Sequence, residues 1–337
     1  MANNAIPGGS VAIYRGGTLI YTQQYGWANQ AEHLKVRPRS LFRIASISKP
    51  ITAVTILKLH EEGRVDLHAQ VLGPGGILRR LRPPRGMTMD PQVSKITVMH
   101  LLQHTAGWNA TAFDPMFAPA MIAAAMGVPS PPSPETIIRY MLGQPLQTAP
   151  GTAYSYSNFG YCLLGRVIEA ISGARYADYV RTATLRPMGI IHARQGHTRL
   201  QQAAPDEVHY YADDMMAASV FPGQGLVPAP YGSFYLEAMD ANAGWIFSAG
   251  DLARFIQAIA GPGEHPFLRR QTIQKMLAPP PAPVGRTGTG DDWWYGMGWR
   301  VMNDAESNHN WYHLGGLSGT SGFLGRTANA ADLSCAA

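Results

Sequence analysis

Strand-like segments at the two ends of this 337-residue chain, separated by a long helical stretch, constrain its fold more than any other feature. Residues 10–26 predict a β-hairpin with Gly16-Gly17 at its turn. The segments YGMGWRVM, WYHLGG and DLSCAA, all near the other end, predict further strands. Strands from the two ends must therefore pair with each other. We expect an α+β fold in which an antiparallel sheet, flanked by helices, is closed by non-local pairing and carries an inserted, mostly helical lobe.

The predicted helices lie mainly in the middle of the chain. They cover residues 98–104, 134–142, 158–172, 174–184 and 249–259. Segments rich in proline and glycine interrupt this stretch at 72–76 and 128–135, and residues 278–285 are expected to form a loop. We expect one structural unit over residues 1–337. Its sheet lobe would comprise residues 1–65 and 240–337, and its mostly helical lobe residues 66–239.

Three short motifs indicate the chemistry. They occur once each, in the order Ser46-Ile-Ser-Lys49, Tyr156-Ser-Asn158 and His313-Leu-Gly315. A serine three residues before a lysine puts both side chains on one face of a helix. A tyrosine can carry a second proton, and an H-x-G segment on a strand can border the same cleft, so the set suits acyl transfer through a serine ester. In a purely structural interpretation, Ser46 caps a helix, Lys49 is a solvated charge and Tyr156 belongs to the core.

The sequence after the first motif predicts that Ser46 lies at the start of a helix. Apolar residues follow at helical spacing, and Gly63 stands where a helix commonly ends. Pro50 lacks an N–H group and is tolerated only near a helix start. Ser46 would then lie at the positive end of the helix dipole, which favours an alkoxide or an oxyanion. Lys49 could take the serine proton or hold charge beside it.

Over nearly its whole length, the chain resembles the penicillin-recognising serine hydrolases. These include class C β-lactamases, DD-peptidases, D-aminopeptidases and esterases with a β-lactamase fold. The segments IPGGSVAIYRGG, YGWAN and LFRIASISKPITA resemble the opening hairpin and nucleophile helix of that family. The segments LLQHTAG, YSNFGYCLLGRVIEAISG, AGWIFSAGDLARFI and YGMGWRV follow in the family's order. The resemblance implies a β-lactamase/transpeptidase-like fold, and it is specific for the superfamily rather than for a substrate.

The resemblance also implies a role for the residues of the first two motifs. Ser46 would be the nucleophile, and Lys49 its proton acceptor or electrostatic partner. Tyr156 would act as general base or acid, and Asn158 would contact an amide of the substrate. Which of Lys49 and Tyr156 takes the proton stays open, because an unperturbed tyrosine has a pKa near 10 and needs a nearby lysine to act as a base.

The third motif departs from the class C pattern, which has K-T-G where this chain has His313, Leu314 and Gly315. The family uses that lysine to hold the carboxylate of a β-lactam, whereas a histidine is largely neutral at pH 7. The family's oxyanion hole would here use the backbone N–H groups of Ser46 and Gly316. We therefore expect a carboxylesterase that acts on short acyl esters, with weak or no β-lactamase activity.

Two alternatives remain open. One is a class C-like β-lactamase or a penicillin-binding DD-peptidase or D-aminopeptidase. Together with the esterase prediction, this leaves a small ester, a β-lactam or a D-peptide as the substrate. The other is a non-catalytic relative that keeps the fold as a binding module.

No cofactor is implied. His100 and His104 are spaced like zinc ligands, but H-L-L-Q-H lacks the glutamate of H-E-x-x-H, so no metal is expected. The carboxylate pairs at 213–214 and 291–292 suit solvated loops.

Composition sets the remaining expectations. The chain is 46% hydrophobic, with a net charge of +5 and no apolar run long enough to span a bilayer. Its one dense basic run, RRLRPPR, contains two prolines and no aromatic residue, so we expect no nucleic-acid partner. MANNAIPGG lacks the features of a signal peptide, which favours a cytoplasmic protein, or an exported one whose leader was removed. The family's terminal helices have no counterpart in this sequence. The sheet face that they cover in the family would then be an exposed apolar patch, which would favour a homo-oligomer.

Overall fold

The computed structural model describes residues 6–212, 215–260, 266–285, 293–303, 309–327 and 331–336. Its first element is the predicted hairpin, which consists of strands β1 (Gly8–Arg15) and β2 (Thr18–Asn29). Gly16 and Gly17 form the turn with φ angles of 58° and 85°. Positive φ at both central residues is the geometry of a tight two-residue hairpin turn, which glycine adopts without steric cost.

The other strands are short and lie mostly in the last third of the chain. They are β3 (Leu34–Lys35), β4 (Phe42–Arg43), β5 (Arg194–Gln195), β6 (Met216–Ala218), β7 (Leu226–Pro228), β8 (Trp245–Phe247), β9 (Trp293–Tyr295), β10 (Arg300–Asn303), β11 (His309–Leu317), β12 (Thr320–Arg326) and β13 (Ala331–Ala336). The predicted strands in YGMGWRVM, WYHLGG and DLSCAA correspond to parts of β9 to β11 and to β13.

Eight of these strands form one sheet in the order β3-β2-β1-β13-β12-β11-β10-β9, with every neighbouring pair antiparallel. Within this sheet β1 pairs with β13, with Val11 opposite Cys335. The predicted closure of the sheet by strands from opposite ends of the sequence is therefore confirmed. Strands β4, β8 and β5 form a small sheet, and β6 pairs with β7.

Eight α-helices surround and connect these strands in the described part of the chain. They are α1 (Ser48–Glu61), α2 (Val98–Leu102), α3 (Pro119–Met126), α4 (Pro134–Leu142), α5 (Asn158–Ser172), α6 (Tyr176–Tyr179), α7 (Ala249–Ala260) and α8 (Arg270–Leu277). Helices α4 and α5 have the predicted bounds. The helix predicted over 174–184 is wrong as one α-helix, because α6 spans a single turn and continues as a π-helix over Val180–Leu185. The sequence did not predict α3 or α8.

Helix α1 runs through the core, and most of its side chains are buried, which is why its apolar residues do not form a single stripe. It ends at Glu61, and Gly63, which was predicted to stop it, follows two residues later with a φ of 70°. Helix α7 covers one face of the large sheet, where Ala249 and Ala253 pack on Ala12 of β1. These small residues allow the helix to lie close to the strand.

Three further points concern the whole chain. Among the described helices, none combines the length and hydropathy that a bilayer-spanning segment requires. Cys162 and Cys335 are both free thiols, and Cys162 is buried in α5, as expected for a small apolar side chain. The boundaries of the two lobes, at residues 65/66 and 239/240, stay a prediction.

Candidate active site

Ser46 lies in a 3-10 turn, Ala45–Ile47, immediately before α1, so the helix begins two residues later than Ser46 itself. The turn is fixed to strand β8. The N–H of Ile44 donates to the carbonyl of Trp245 at 3.0 Å, and the N–H of Trp245 donates to Ser48 Oγ at 3.2 Å. Ala45 has a φ of 47°, an uncommon conformation for a residue with a side chain. Strain of this kind persists only where surrounding contacts enforce it.

Lys49 is fully buried directly beneath Ser46. Its ammonium donates to Ser46 Oγ at 3.0 Å, to Asn158 Oδ1 at 2.7 Å and to the carbonyl of Asn242 at 3.1 Å. Burial disfavours the charged form and lowers the pKa of Lys49 to about 7, against an opposing effect of the Asp114 carboxylate. The purely structural interpretation of Lys49 as a solvated charge is therefore wrong. At neutral pH a large fraction of this lysine is a free amine in contact with Ser46.

The Asn158 carboxamide connects Lys49 to a carboxylate that sequence reasoning missed. Asn158 starts helix α5, which Ser157 caps, and its Nδ2 donates to Asp114 Oδ2 at 2.7 Å. Burial raises the pKa of Asp114, and its hydrogen bonds to Asn158 and to the N–H of Met116 oppose this effect. The Asp-Pro pair at 114–115 signals only a capped turn in the sequence. Nothing in it indicates that the other carboxylate oxygen turns towards the site.

Tyr156 reaches the same group of side chains. Its ring centroid lies 4.7 Å from Lys49 Nζ, and its hydroxyl is near enough to the Ser46 side chain for that side chain to influence its pKa. Burial raises the pKa of Tyr156 well above its usual value, although the Ser46 side chain opposes the shift. The phenol therefore keeps its proton at neutral pH. Tyr156 is suited to donate a proton or a hydrogen bond rather than to act as the resting base.

The ring of His104 packs against Tyr156 with centroids 4.3 Å apart. His104 has a φ of 57°, and its Nδ1 accepts a hydrogen bond from the N–H of Ser157 at 3.1 Å. Burial holds its pKa well below the ordinary value, so the ring is neutral. In His100, Nδ1 accepts from the N–H of Thr97 at 3.2 Å. Both histidines thus use one ring nitrogen within the fold, and no cluster of three or more potential metal-binding side chains occurs among the described residues.

The third motif lies on β11 beside the Ser46 turn. A Cβ on Gly315 would lie 2.1 Å from the carbonyl oxygen of Ile44, so only glycine permits this close approach. His313 is 3% exposed, and its Nδ1 donates to the carbonyl of Leu314 at 2.6 Å. Its Nε2 must then accept from the Tyr295 hydroxyl, 2.9 Å away. Burial lowers the pKa of His313 to about 3, so this side chain carries no charge at neutral pH.

Arg300 supplies a positive charge at the edge of the site. It lies on β10 opposite Tyr312 of β11, and its guanidinium carbon is 5.3 Å from the ring centroid of Trp293. Its charge lowers the pKa of His313, in the same direction as the larger effect of burial. It also lowers the pKa of Tyr156, against the larger and opposite effect of burial. Sequence reasoning missed this residue, although a basic residue within YGMGWRV was a visible signal.

The structure brings the three predicted motifs together. Ser46, Lys49, Tyr156 and Asn158 form one connected group, and the rings of Tyr156 and His313 lie 6.3 Å apart. The carboxylate pairs at 213–214 and 291–292 lie outside the described residues. The catalytic and binding roles of the individual side chains stay predictions.

Comparison with protein families gives one match, in which the Beta-lactamase family model covers residues 1–331. Among curated proteins, penicillin-binding protein 4* of Bacillus subtilis (strain 168) is 28% identical over 320 residues, which cover 93% of this chain and 64% of the relative. Protein flp of Staphylococcus aureus (strain COL) is 26% identical, and the match covers 95% of this chain and 57% of the relative. The chain thus spans less than two thirds of the length of either relative.

Solved structures show the same fold. The octameric penicillin-binding protein homologue from Pyrococcus abyssi has a TM-score of 0.73 and 25% identity, and the match covers 100% of this chain and 70% of the homologue. D-amino acid amidase from Ochrobactrum anthropi SV3, in its complex with D-phenylalanine, has a TM-score of 0.72 and 22% identity, covering 99% and 87%. D-stereospecific amidohydrolase from Streptomyces sp. has a TM-score of 0.71 and 21% identity, covering 98% and 89%.

Proposed function

Because the chain belongs to the Beta-lactamase family, a family of serine hydrolases, we propose that it hydrolyses short acyl esters through an acyl-enzyme on Ser46. The observation that carries this proposal is the contact of 3.0 Å between Lys49 Nζ and Ser46 Oγ, made by a lysine whose pKa is about 7. A nucleophile within hydrogen-bond reach of a base is the arrangement that covalent catalysis requires. This buried lysine also disfavours a non-catalytic role as a binding module.

In the proposed reaction, neutral Lys49 accepts the Ser46 proton as Oγ attacks the ester carbonyl. Tyr156, which is protonated in the resting enzyme, gives its proton to the leaving alcohol and regains one from the Lys49 ammonium, so the alcohol departs with the acyl group bound to Ser46 and Lys49 is neutral again. A water then attacks the acyl-enzyme and gives one proton to Lys49. Lys49 passes this proton to Ser46 Oγ as the carboxylic acid is released. The raised pKa of Tyr156 and the lowered pKa of Lys49 support this assignment of base and acid.

The negative charge that develops on the carbonyl oxygen would be stabilised by the backbone N–H groups of Ser46 and Gly316. The tight approach of Gly315 to Ile44 supports this proposal, because it brings β11 against the turn that carries the nucleophile. A Cβ on Gly316 would meet nothing within 4 Å, so the space beside its backbone is open to a substrate.

Preference for an ester rests on His313. A buried, uncharged imidazole with both nitrogens engaged offers little to the carboxylate of a β-lactam. Arg300 favours the second candidate, a β-lactam or D-peptide substrate, because a cation at the site edge can attract a carboxylate. The relatives named as penicillin-binding proteins and D-amino acid amidase agree with this second candidate.

A parallel panel of nitrophenyl esters, nitrocefin and D-alanyl peptides tests the substrate class. We expect the fastest turnover with short nitrophenyl esters. A fluorescent phosphonate should add one label per chain, located at Ser46 by mass analysis. The variant Ser46→Ala should fold, take up no label and lose turnover. Near-normal hydrolysis by a folded Ser46→Ala protein would refute the mechanism, and faster hydrolysis of nitrocefin than of nitrophenyl butyrate would refute the ester preference.

A further inference from the structure

A cavity of about 340 Å³, separate from the candidate active site, lies between α2 and the loop that follows α8. Its lining comprises His68, Thr97, Met99, His100, Gln103, Thr105, Pro150, Gly151, Pro280, Pro281, Ala282 and Val284. None of the catalytic candidates lines it. The volume is at the lower end of the range for small-molecule pockets, so its occupant would be a molecule of one small ring or a short chain.

Gln103 is the feature that marks this cavity as a binding site. The residue is only 3% exposed, and it lines the cavity at the end of α2. Its backbone N–H donates to Met99, and its carboxamide is not paired with another described residue. The carboxamide has up to four hydrogen-bonding positions, and its atoms are not among the fully buried polar atoms of the described residues, so they stay accessible from the cavity. The side chain is therefore poised to pair with a polar group inside the cavity.

The polar groups around Gln103 include no permanently charged side chain. His100 uses Nδ1 to accept from Thr97, which leaves Nε2 as its N–H donor, and a Cβ on Gly151 would lie 3.1 Å from that atom. Burial, with a smaller effect of His68, lowers the pKa of His100. No aspartate, glutamate, lysine or arginine occurs among the described lining residues. A charged ligand would lose its hydration there without gaining a counter-charge.

The opposite wall is apolar. Pro280, Pro281, Ala282 and Val284 form it together with Pro150. A flat apolar group can pack on such a wall while its polar end reaches Gln103. We propose that this cavity binds a small neutral carboxamide, whose N–H and carbonyl pair with the Gln103 side chain and whose apolar part packs on the proline-rich wall.

The cavity adjoins the candidate active site through one residue. Gln103 and Thr105 flank His104, whose ring packs on Tyr156 with a centroid separation of 4.3 Å. The backbone also links the two, since the N–H of Ser155 donates to the carbonyl of His104 at 2.8 Å and that of Gly151 to the carbonyl of Thr105. The carboxamide site is nevertheless separate from the catalytic side chains and does not depend on the proposed reaction.

Ligand-observed NMR titration with benzamide, benzoate and benzylammonium tests the proposal on the intact chain. We expect benzamide to bind at least tenfold more tightly than either charged analogue. The variant Gln103→Leu, similar in size, should weaken benzamide binding about tenfold, the effect of one lost hydrogen bond in a buried site. The matched control Gln202→Leu makes the same change on an exposed turn outside the cavity and should leave the affinity unchanged.

A second variant keeps the test decisive if Gln103→Leu does not fold. Val284→Trp adds bulk at the half-buried rim and should exclude benzamide while leaving the core intact. Equal affinity of benzamide for the wild type and for a folded Gln103→Leu protein would show that benzamide binds elsewhere, which would overturn the proposal. Tighter binding of benzoate, or unchanged binding in Val284→Trp, would do the same.

Discussion

Replacing Asp114 with asparagine tests the link between the buried carboxylate and the catalytic lysine. The change removes a negative charge and keeps the shape of the side chain, so the amide oxygen that replaces the carboxylate can still accept the hydrogen bond from Asn158 Nδ2. Asp114 raises the pKa of Lys49 against the effect of burial. Without that carboxylate the ammonium form is less stable, and the pKa of Lys49 should fall below its wild-type value of about 7.

The size of the effect follows from the geometry. Two hydrogen bonds of 2.7 Å, one on each side of the Asn158 carboxamide, join Asp114 to Lys49. Two unit charges about 7 Å apart at an effective dielectric constant of about 20 interact by roughly 2 kcal/mol. Part of this is lost to solvent at the half-buried carboxylate, so we expect a shift of about one pH unit.

The assay is the pH dependence of kcat/KM for a nitrophenyl ester between pH 5 and 9, which reports groups of the free enzyme. In the wild type, activity should rise with pH through a midpoint near 7, because only neutral Lys49 can accept the serine proton. In Asp114→Asn this midpoint should lie about one pH unit lower. The control Asp90→Asn makes the same change at a carboxylate that caps a 3-10 turn and does not contact Lys49.

Three results would refute this reasoning. A folded Asp114→Asn protein with an unchanged or higher midpoint would show that the carboxylate does not act on the lysine. An equal shift in Asp90→Asn would show a general effect of lost charge. A wild-type profile that is flat around pH 7 would remove Lys49 from the role of base.

Three further predictions concern the other site residues and the sheet. Tyr156→Phe should lower kcat by about 10²–10⁴-fold, the usual contribution of a positioned acid, as measured by steady-state hydrolysis of a nitrophenyl ester. His313→Lys should raise the ratio of nitrocefin to ester turnover, because it restores a cation for the carboxylate. Gel filtration coupled to light scattering should show self-association through the sheet face formed by Val11, Cys335, Phe323 and Leu314, which lie side by side in the strand register. The variant Leu314→Asp should disrupt this self-association, because Leu314 is 48% exposed on that face and the substitution adds a charge there.

The outcomes that contradict these predictions are distinct. Near-normal kcat in a folded Tyr156→Phe protein would remove the phenol from the proton transfer. An unchanged substrate ratio in His313→Lys would show that another group, such as Arg300, governs carboxylate binding. A monomeric wild type would show that the exposed sheet face does not drive assembly.

The parts of the fold that the sequence predicted well depend on local signals. Helix α5 has its predicted bounds because Ser157 accepts a hydrogen bond from the N–H of Gly160 at one end and Gly173 adopts a φ of 73° at the other. Helix α4 begins in the same way, with Ser133 accepting from the N–H of Thr136. Capping groups and glycine act within one or two turns, so they are visible in a short stretch of sequence.

The parts that it did not predict depend on contacts between distant segments. The strained φ of Ala45 results from the turn being held against β8, and the short α6 continues as a π-helix that packs on α1. Asp114 joins the site because Asn158, far away in sequence, turns its amide towards it. The motifs identified Ser46 and Lys49, but only burial shows that this lysine has a pKa of about 7.

The pairing of β1 with β13 has a consequence for how the chain is made. The hairpin of β1 and β2 leaves the ribosome long before β13, the strand with which β1 pairs within the sheet. Until then, the free edge of β1 presents unpaired N–H and C=O groups that can capture another strand. Sheet closure across nearly the whole sequence is also slow, because distant segments must find each other. We therefore expect yield in a cell to depend on chaperones that occupy this edge during synthesis, more than on the final stability of the folded protein.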